Sequence, residues 1–250
     1  MVDVGICCRE VEKRMKRLGL HMQNVKAIFI SHEHSDHIKG LAVLCKKYSF
    51  PVYITSATFL NCGITVDQNL LYSFKPHEPV VIGDLKVTAF PKFHDACDPY
   101  SFVVECNNIR AGVFTDIGTP CANVVNYFKQ CHAAFLEANY DEQMLEQGNY
   151  PYHLKKRIAG DNGHLGNRQA LELFTRNKPE FMSHLLLSHL SENNNCPKVV
   201  QKLFDKNSGG VKITVASRSS ETELFSITAS KKSSHQYRTS HSAQLAFSFI

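Results

Sequence analysis

The sequence predicts an α/β protein in which short strands come first and helices are interleaved later. Three observations predict it. A short β-rich run, residues 25–30, feeds directly into a histidine-rich loop and then a helical run. Two tight hairpins occupy the middle of the chain. The second half alternates apolar runs of strand length with helical segments, and a strand that feeds a loop opening a helix is where α/β proteins build sites.

The elements follow in order. Cys8 to Leu18 reads as a helix, with Val11, Met15 and Leu18 on one face and five basic residues over the rest. Residues 25–30 read as a strand, Ile38 to Tyr48 as a helix and residues 51–55 as a second buried strand. Val80 to Phe90 reads as a hairpin turning at Gly83-Asp84. Ser101 to Glu105 pairs with Ile109 to Thr115 across Asn107-Asn108, since Asn tolerates the left-handed backbone that two-residue turns require. Phe135 to Ala138, Met182 to Ser188 and Val211 to Ala216 read as strands, the last ending near the segment Glu223 to Thr228. Val124 to Cys131, Tyr152 to Ile158, Arg168 to Arg176 and Pro197 to Lys206 read as helices.

The chain has 250 residues, 43% hydrophobic and 20% charged, a length that fits one two-layered or sandwich domain as well as two small ones. The formal charge of +5 permits an anionic substrate without demanding one. Nine cysteines are an odd number and none forms a C-x-x-C pair, which argues against a thiolate zinc site. No basic-then-apolar leader opens the chain, and no run reaches the roughly 18 apolar residues of a spanning helix. The expectation is a reduced, cytoplasmic protein with no membrane partner. Residues 1–228 form the expected domain. Residues 229–250 form a second segment, basic and read as a disordered linker, that ends in the apolar run Gln244 to Ile250.

His32, His34, Asp36 and His37 lie within six residues directly after an apolar strand. Alternate side chains of extended backbone project to one side, so His32 and His34 face together. Asp36 and His37 then sit at the turn into the helix, facing a neighbouring position. One loop thus offers two ligands to each of two adjacent ions. Imidazole and carboxylate suit Zn²⁺ or Mn²⁺.

H-x-H-x-D-H after a strand resembles the signature of the metallo-β-lactamase superfamily, and further motifs of that family follow in order. Phe93-His94-Asp95, Thr115-Asp116-Ile117-Gly118 and Leu187-Ser188-His189 resemble its later ligand motifs, and Asp3-Val4-Gly5 its supporting first motif. The resemblance implies an αββα sandwich with two divalent metal ions at one edge. It implies that His32, His34 and His94 hold one ion, that Asp36, His37 and His189 hold the other, and that Asp116 bridges them. Members usually carry two or more strands before the first motif, so the first strands are expected to be missing: either the N-terminus is truncated or the first sheet has an uncovered edge that invites pairing with another chain.

Phe135-Leu136-Glu137-Ala138 and Gly163-His164-Leu165 are similar to segments of ribonuclease Z and its relatives. Residues 150–165 are closest to the YycJ/WalJ branch, bacterial proteins that resemble 5′-to-3′ exonucleases. The implied activity is a metal-dependent DNA exonuclease, DNA being favoured over RNA. Two ions about 3.5–4 Å apart can share a hydroxide and clamp both oxygens of an in-line displacement. Asp36 is expected to orient that hydroxide, His164 to protonate the leaving oxygen and Glu137 to fix the tautomer of His164. Lys155, Lys156, Arg157 and Arg168 are the candidate phosphate contacts. The alternative is a small-molecule hydrolase acting on a thioester, lactone or cyclic phosphodiester, which would need a closed, partly apolar pocket instead of an open groove. Gln244, Leu245, Phe247 and Phe249 resemble the peptides that bind the bacterial sliding clamp, with a random apolar end or a C-terminal strand as the plainer reading.

Overall fold

The computed structural model describes residues 1–228 and the backbone of 245–247. Two sheets carry the fold. The smaller is parallel, in the order β1 (Ile28–Phe29), β2 (Val52–Tyr53), β3 (Leu71–Tyr72). Beyond β1, Val2 bridges to Phe29 in parallel, so the first residues of the chain line that edge.

The larger sheet has seven strands. Its first half is an antiparallel meander of β4 (Pro79–Ile82), β5 (Leu85–Pro91), β6 (Tyr100–Cys106) and β7 (Ile109–Phe114). The β6–β7 turn fits its Asn-Asn sequence, since Asn107 and Asn108 take φ values of 49° and 65°. The sheet then turns parallel through β8 (Ala133–Glu137), β9 (His184–Ser188) and β10 (Lys212–Val215). The switch has a physical reason: two-residue turns join antiparallel neighbours, whereas parallel neighbours need helical crossovers.

Three apolar layers follow from this order. The outer face of the small sheet is covered by α1 (Cys8–Arg17) and α3 (Leu41–Tyr48) through Val11, Met15, Leu41 and Leu44. Between the sheets, Phe29 of β1 packs with Val87, Ala89 and Phe102 of β5 and β6. On the far face lie α5 (Ala122–Phe128), α8 (Asn167–Asn177) and α9 (Pro197–Asp205), where Phe128, Phe174 and Phe204 meet Leu136, Leu185 and Leu187. The expected αββα sandwich is the observed one.

Several boundaries differ from expectation. The helical run expected over Ile38 to Tyr48 is split into α2 (Ser35–Ile38) and α3, because Gly40 packs so tightly that a Cβ there would lie 2.1 Å from the Ile6 carbonyl oxygen. Three short elements escaped the apolar pattern: β3, α4 (Ser56–Asn61) and α6 (Glu142–Gln147). Too few residues are buried in each to leave a period. The helix α7 (Tyr152–Ile158) has its expected bounds. β11 (Phe225–Ile227) pairs antiparallel with β12 (Leu245–Phe247). Gln244, Phe249 and the linker reading of 229–244 lie outside the described residues. Among those described, no helix is long and apolar enough to cross a membrane.

Candidate metal centre

The carboxyl ends of β1, β7, β8 and β9 converge on one rim, and each delivers part of a cluster. β1 delivers the 31–37 loop. Asp116 follows β7, Glu137 ends β8 and His189 follows β9. The turn after β5 adds His94. Asp3, Asp116 and His189 all take φ between 53° and 57°. For a residue with a Cβ this left-handed backbone costs about 1 kcal/mol or more, and it persists where surrounding bonds over-determine it.

All seven expected ligands meet. His32, His34 and His94 form one group. Asp36, His37 and His189 form a second. Asp116 belongs both to a set with His32 and His37 and to a set with His189, so it lies between them. His34 Nδ1 lies 3.1 Å from His32 Nε2 and 3.3 Å from His94 Nε2. Asp116 Oδ2 is 3.1 Å from His37 Nε2, and its Oδ1 is 3.2 Å from His189 Nε2.

The opposite ring nitrogens are tied down, which fixes the lone pairs that face inward. His94 Nδ1 donates to the Gly163 carbonyl at 3.0 Å. His37 Nδ1 donates to Asp3 Oδ2 at 2.8 Å. Asp3 also receives the Ser31 amide and hydroxyl at 2.8 Å each, so that hydroxyl is left to accept from His32 Nδ1 at 2.9 Å. Asp3 is therefore the support that its motif implied. Ser31 was missed, because a lone serine before a histidine motif carries no distinguishing signal.

Glu137 is fully buried and receives four donors. Oε2 accepts from the amides of Ile117 at 2.7 Å and Leu165 at 3.1 Å. Oε1 accepts from Nδ1 of His164 at 2.8 Å and of His189 at 3.1 Å. His164 retains Nε2 for other contacts. Asn139 Nδ2 donates to the His189 carbonyl at 2.9 Å and was also missed.

Electrostatics match the geometry. Burial drives the pKa of His32 far down and that of His94 down to about 4, so both are bare Lewis bases. Burial also works against the charged form of His37, but the Asp116 and Asp3 carboxylates outweigh it and raise its pKa to about 10. Burial opposes ionisation of Glu137, yet His164 and His189 bring it down to about 2. His164 is raised, since Glu137 and Asp116 overcome its desolvation.

The residues fit a pair of divalent ions. His37 Nε2 and Asp116 Oδ2 are buried and face each other 3.1 Å apart, yet neither makes an aligned hydrogen bond. In the metal-free state the raised pKa of His37 keeps a proton in that position; a divalent cation would take the place of that proton, and nitrogen and oxygen donors suit zinc or manganese.

The candidate phosphate contacts are less uniform. Arg157 Nε pairs with Asp95 Oδ2 at 2.5 Å, beside His94. Lys155 Nζ donates to the Glu146 carbonyl at 2.6 Å. Arg168 lies 3.8 Å from Glu142. Lys156 is exposed, and no ion pair holds it among the described residues. The rim itself is open: the Asp36 side chain is 64% exposed and Phe93, next to His94, is 52% exposed.

A family model described as the beta-lactamase superfamily domain matches residues 7–189. The exodeoxyribonuclease YycJ of Bacillus anthracis is 34% identical over 206 residues, spanning 80% of this chain and 77% of that protein. The exodeoxyribonuclease WalJ of Streptococcus pneumoniae is 28% identical over 200 residues, spanning 78% of this chain and 74% of that protein. Among solved structures, the metallo-beta-lactamase fold protein YhfI of Bacillus subtilis superposes with a TM-score of 0.66 at 16% identity. That match covers 86% of this chain and 83% of YhfI.

Proposed function

Because this chain belongs to the beta-lactamase superfamily, we propose that it is a metal-dependent phosphodiesterase acting on nucleic acid, and specifically a 5′-to-3′ DNA exonuclease. The observation that carries this reading is the pairing of buried Glu137 with half-buried His164 beside the proposed ligand cluster, 2.8 Å apart. The names of the two exodeoxyribonuclease relatives support the substrate class.

His32, His34 and His94 would hold one ion; Asp36, His37 and His189 would hold the other; Asp116 lies between them. The ions, zinc or manganese, supply Lewis acidity and neutralise phosphate charge. The chain's own residues do the rest. Asp36, on the open rim, orients the attacking water. Glu137 holds Nδ1 of His164, so the imidazolium form presents its second proton on Nε2 to the departing oxygen. Arg157, set by Asp95, and the free Lys156 meet phosphates outside the cleaved bond. An open rim suits a polymer better than a small molecule sealed in a pocket. The C-terminal peptide of residues 244–250 docks on the sliding clamp, which would raise the local concentration of enzyme on DNA.

The test is cleavage of end-labelled single- and double-stranded DNA and RNA in a metal series. Loss of label from the 5′ end of DNA, abolished in His34→Ala, is expected. A metal-loaded protein that leaves every nucleic acid intact, but opens a lactone or thioester, would establish the small-molecule alternative instead.

A further inference from the structure

We propose that Lys92 is a positioning residue for Asp116, acting through the peptide group that precedes it; this rests on the reading of Asp116 as the carboxylate between the two ion sites. Lys92 follows β5 and is only 5% exposed. A lysine is almost never this buried without a task. Its Nζ donates to the Thr115 carbonyl at 2.7 Å. β5 and β7 are separated by β6, so this bond crosses one strand to reach the end of β7.

The two peptide groups that flank Asp116 are thus each pinned by a buried ionisable side chain. The Thr115 carbonyl accepts from Lys92, and the Ile117 amide donates to Glu137 Oε2 at 2.7 Å. Between them Asp116 holds φ at 53°. Relaxing either anchor would let that backbone fall back to right-handed geometry and swing the carboxylate away from His37 and His189. The pair is complementary in sign: an ammonium holds the carbonyl of the peptide before Asp116, and a carboxylate holds the amide of the peptide after it. Burial disfavours the ammonium, and the charges of Asp116, Asp3 and Glu137 work against that penalty.

The test combines two measurements on metal-free protein with one on metal uptake. In the wild type, the ¹⁵Nζ ammonium of Lys92 should correlate through its hydrogen bond with the Thr115 carbonyl carbon. In Lys92→Met and Lys92→Gln, amide exchange at Asp116 and Ile117 should quicken at least about tenfold while β8 and β9 stay protected, and Mn²⁺ affinity should fall by roughly 10–100-fold. Local exchange unchanged from wild type, or a uniform rise across the whole sheet, would overturn the proposal. Should both variants fail to fold, the wild-type measurement decides. A Lys92 ammonium exchanging with water as fast as that of exposed Lys86, with no correlation, overturns it. Failure of the underlying reading is separable: Asp116→Asn would then bind Mn²⁺ as tightly as wild type, whatever Lys92 does.

Discussion

Glu137 Oε1 accepts hydrogen bonds from His164 Nδ1 at 2.8 Å and from His189 Nδ1 at 3.1 Å, so one carboxylate oxygen joins the proposed acid to a proposed ligand. Glu137→Gln keeps the shape but presents an amide that cannot accept on both termini. We expect kcat to fall about 10–100-fold, the usual cost of losing a carboxylate behind a ligand histidine. Metal titration of the same variant should show weakening at the His189 site and an unaltered His32-His34-His94 site. Equal weakening at both would mean that Glu137 acts through general stability.

His164 also lies near Asp116, with Nδ1 3.7 Å from Oδ1, so it competes as a metal ligand in the alternative grouping of Asp116, Glu137, His164 and His189. Glu137 already occupies Nδ1, which favours the acid role. His164→Ala should lower DNA cleavage about 10²–10⁴-fold and leave a p-nitrophenyl phosphodiester much less affected, since that leaving group needs no proton. Metal content by elemental analysis should not change. A lost ion would reassign the residue.

The proposed ligand set is legible because its donors lie in short motifs: four in one loop and the others soon after apolar strands. Glu137 and His164 were legible through resemblance and not through spacing, since 27 residues separate them in the chain. The supports were not legible. Ser31 and Asn139 are ordinary polar residues until the fold brings them to Asp3 and His189. The left-handed backbone at Asp3, Asp116 and His189 leaves no mark in the sequence, because none of the three is the glycine that such a backbone favours. Hairpins announced themselves through Asn107-Asn108 and Gly83-Asp84. The strands β1 and β2, two residues each, are shorter than the apolar runs that contain them, because their parallel pairing covers only Ile28–Phe29 and Val52–Tyr53.

Gly5 sits where the first motif meets the metal loop. A Cβ there would lie 1.7 Å from the Asp36 carbonyl oxygen and 3.6 Å from the His37 amide. Backbone cannot yield as a flexible side chain would. Gly5→Ala should destabilise the fold by about 1–3 kcal/mol, the common cost of overpacking. It should also displace Asp36 and His37, weakening the second ion site more than the first. Thermal denaturation with and without a chelator separates the two effects: a smaller metal-dependent gain in Tm than wild type is expected, since only binding to the native state stabilises. An unchanged gain would show that the loop absorbs the methyl group elsewhere.

Two demands meet on Leu245–Phe247. In the fold these residues pair with β11, Leu245 against Ile227 and Phe247 against Phe225. Phe225 and Ile227 are themselves buried against Ile109, Phe135 and Leu186. In the clamp-binding reading, the same segment would have to leave β11 and enter another protein's groove, and its pairing energy would be subtracted from the affinity gained. Two results follow. Deleting residues 244–250 should abolish capture of the sliding clamp in a pull-down while leaving nuclease activity unchanged. Addition of clamp to the intact protein should expose the β11 amides to hydrogen exchange. Capture that survives the deletion would remove the peptide from consideration, and the strand would then be a structural end that covers the edge of β11.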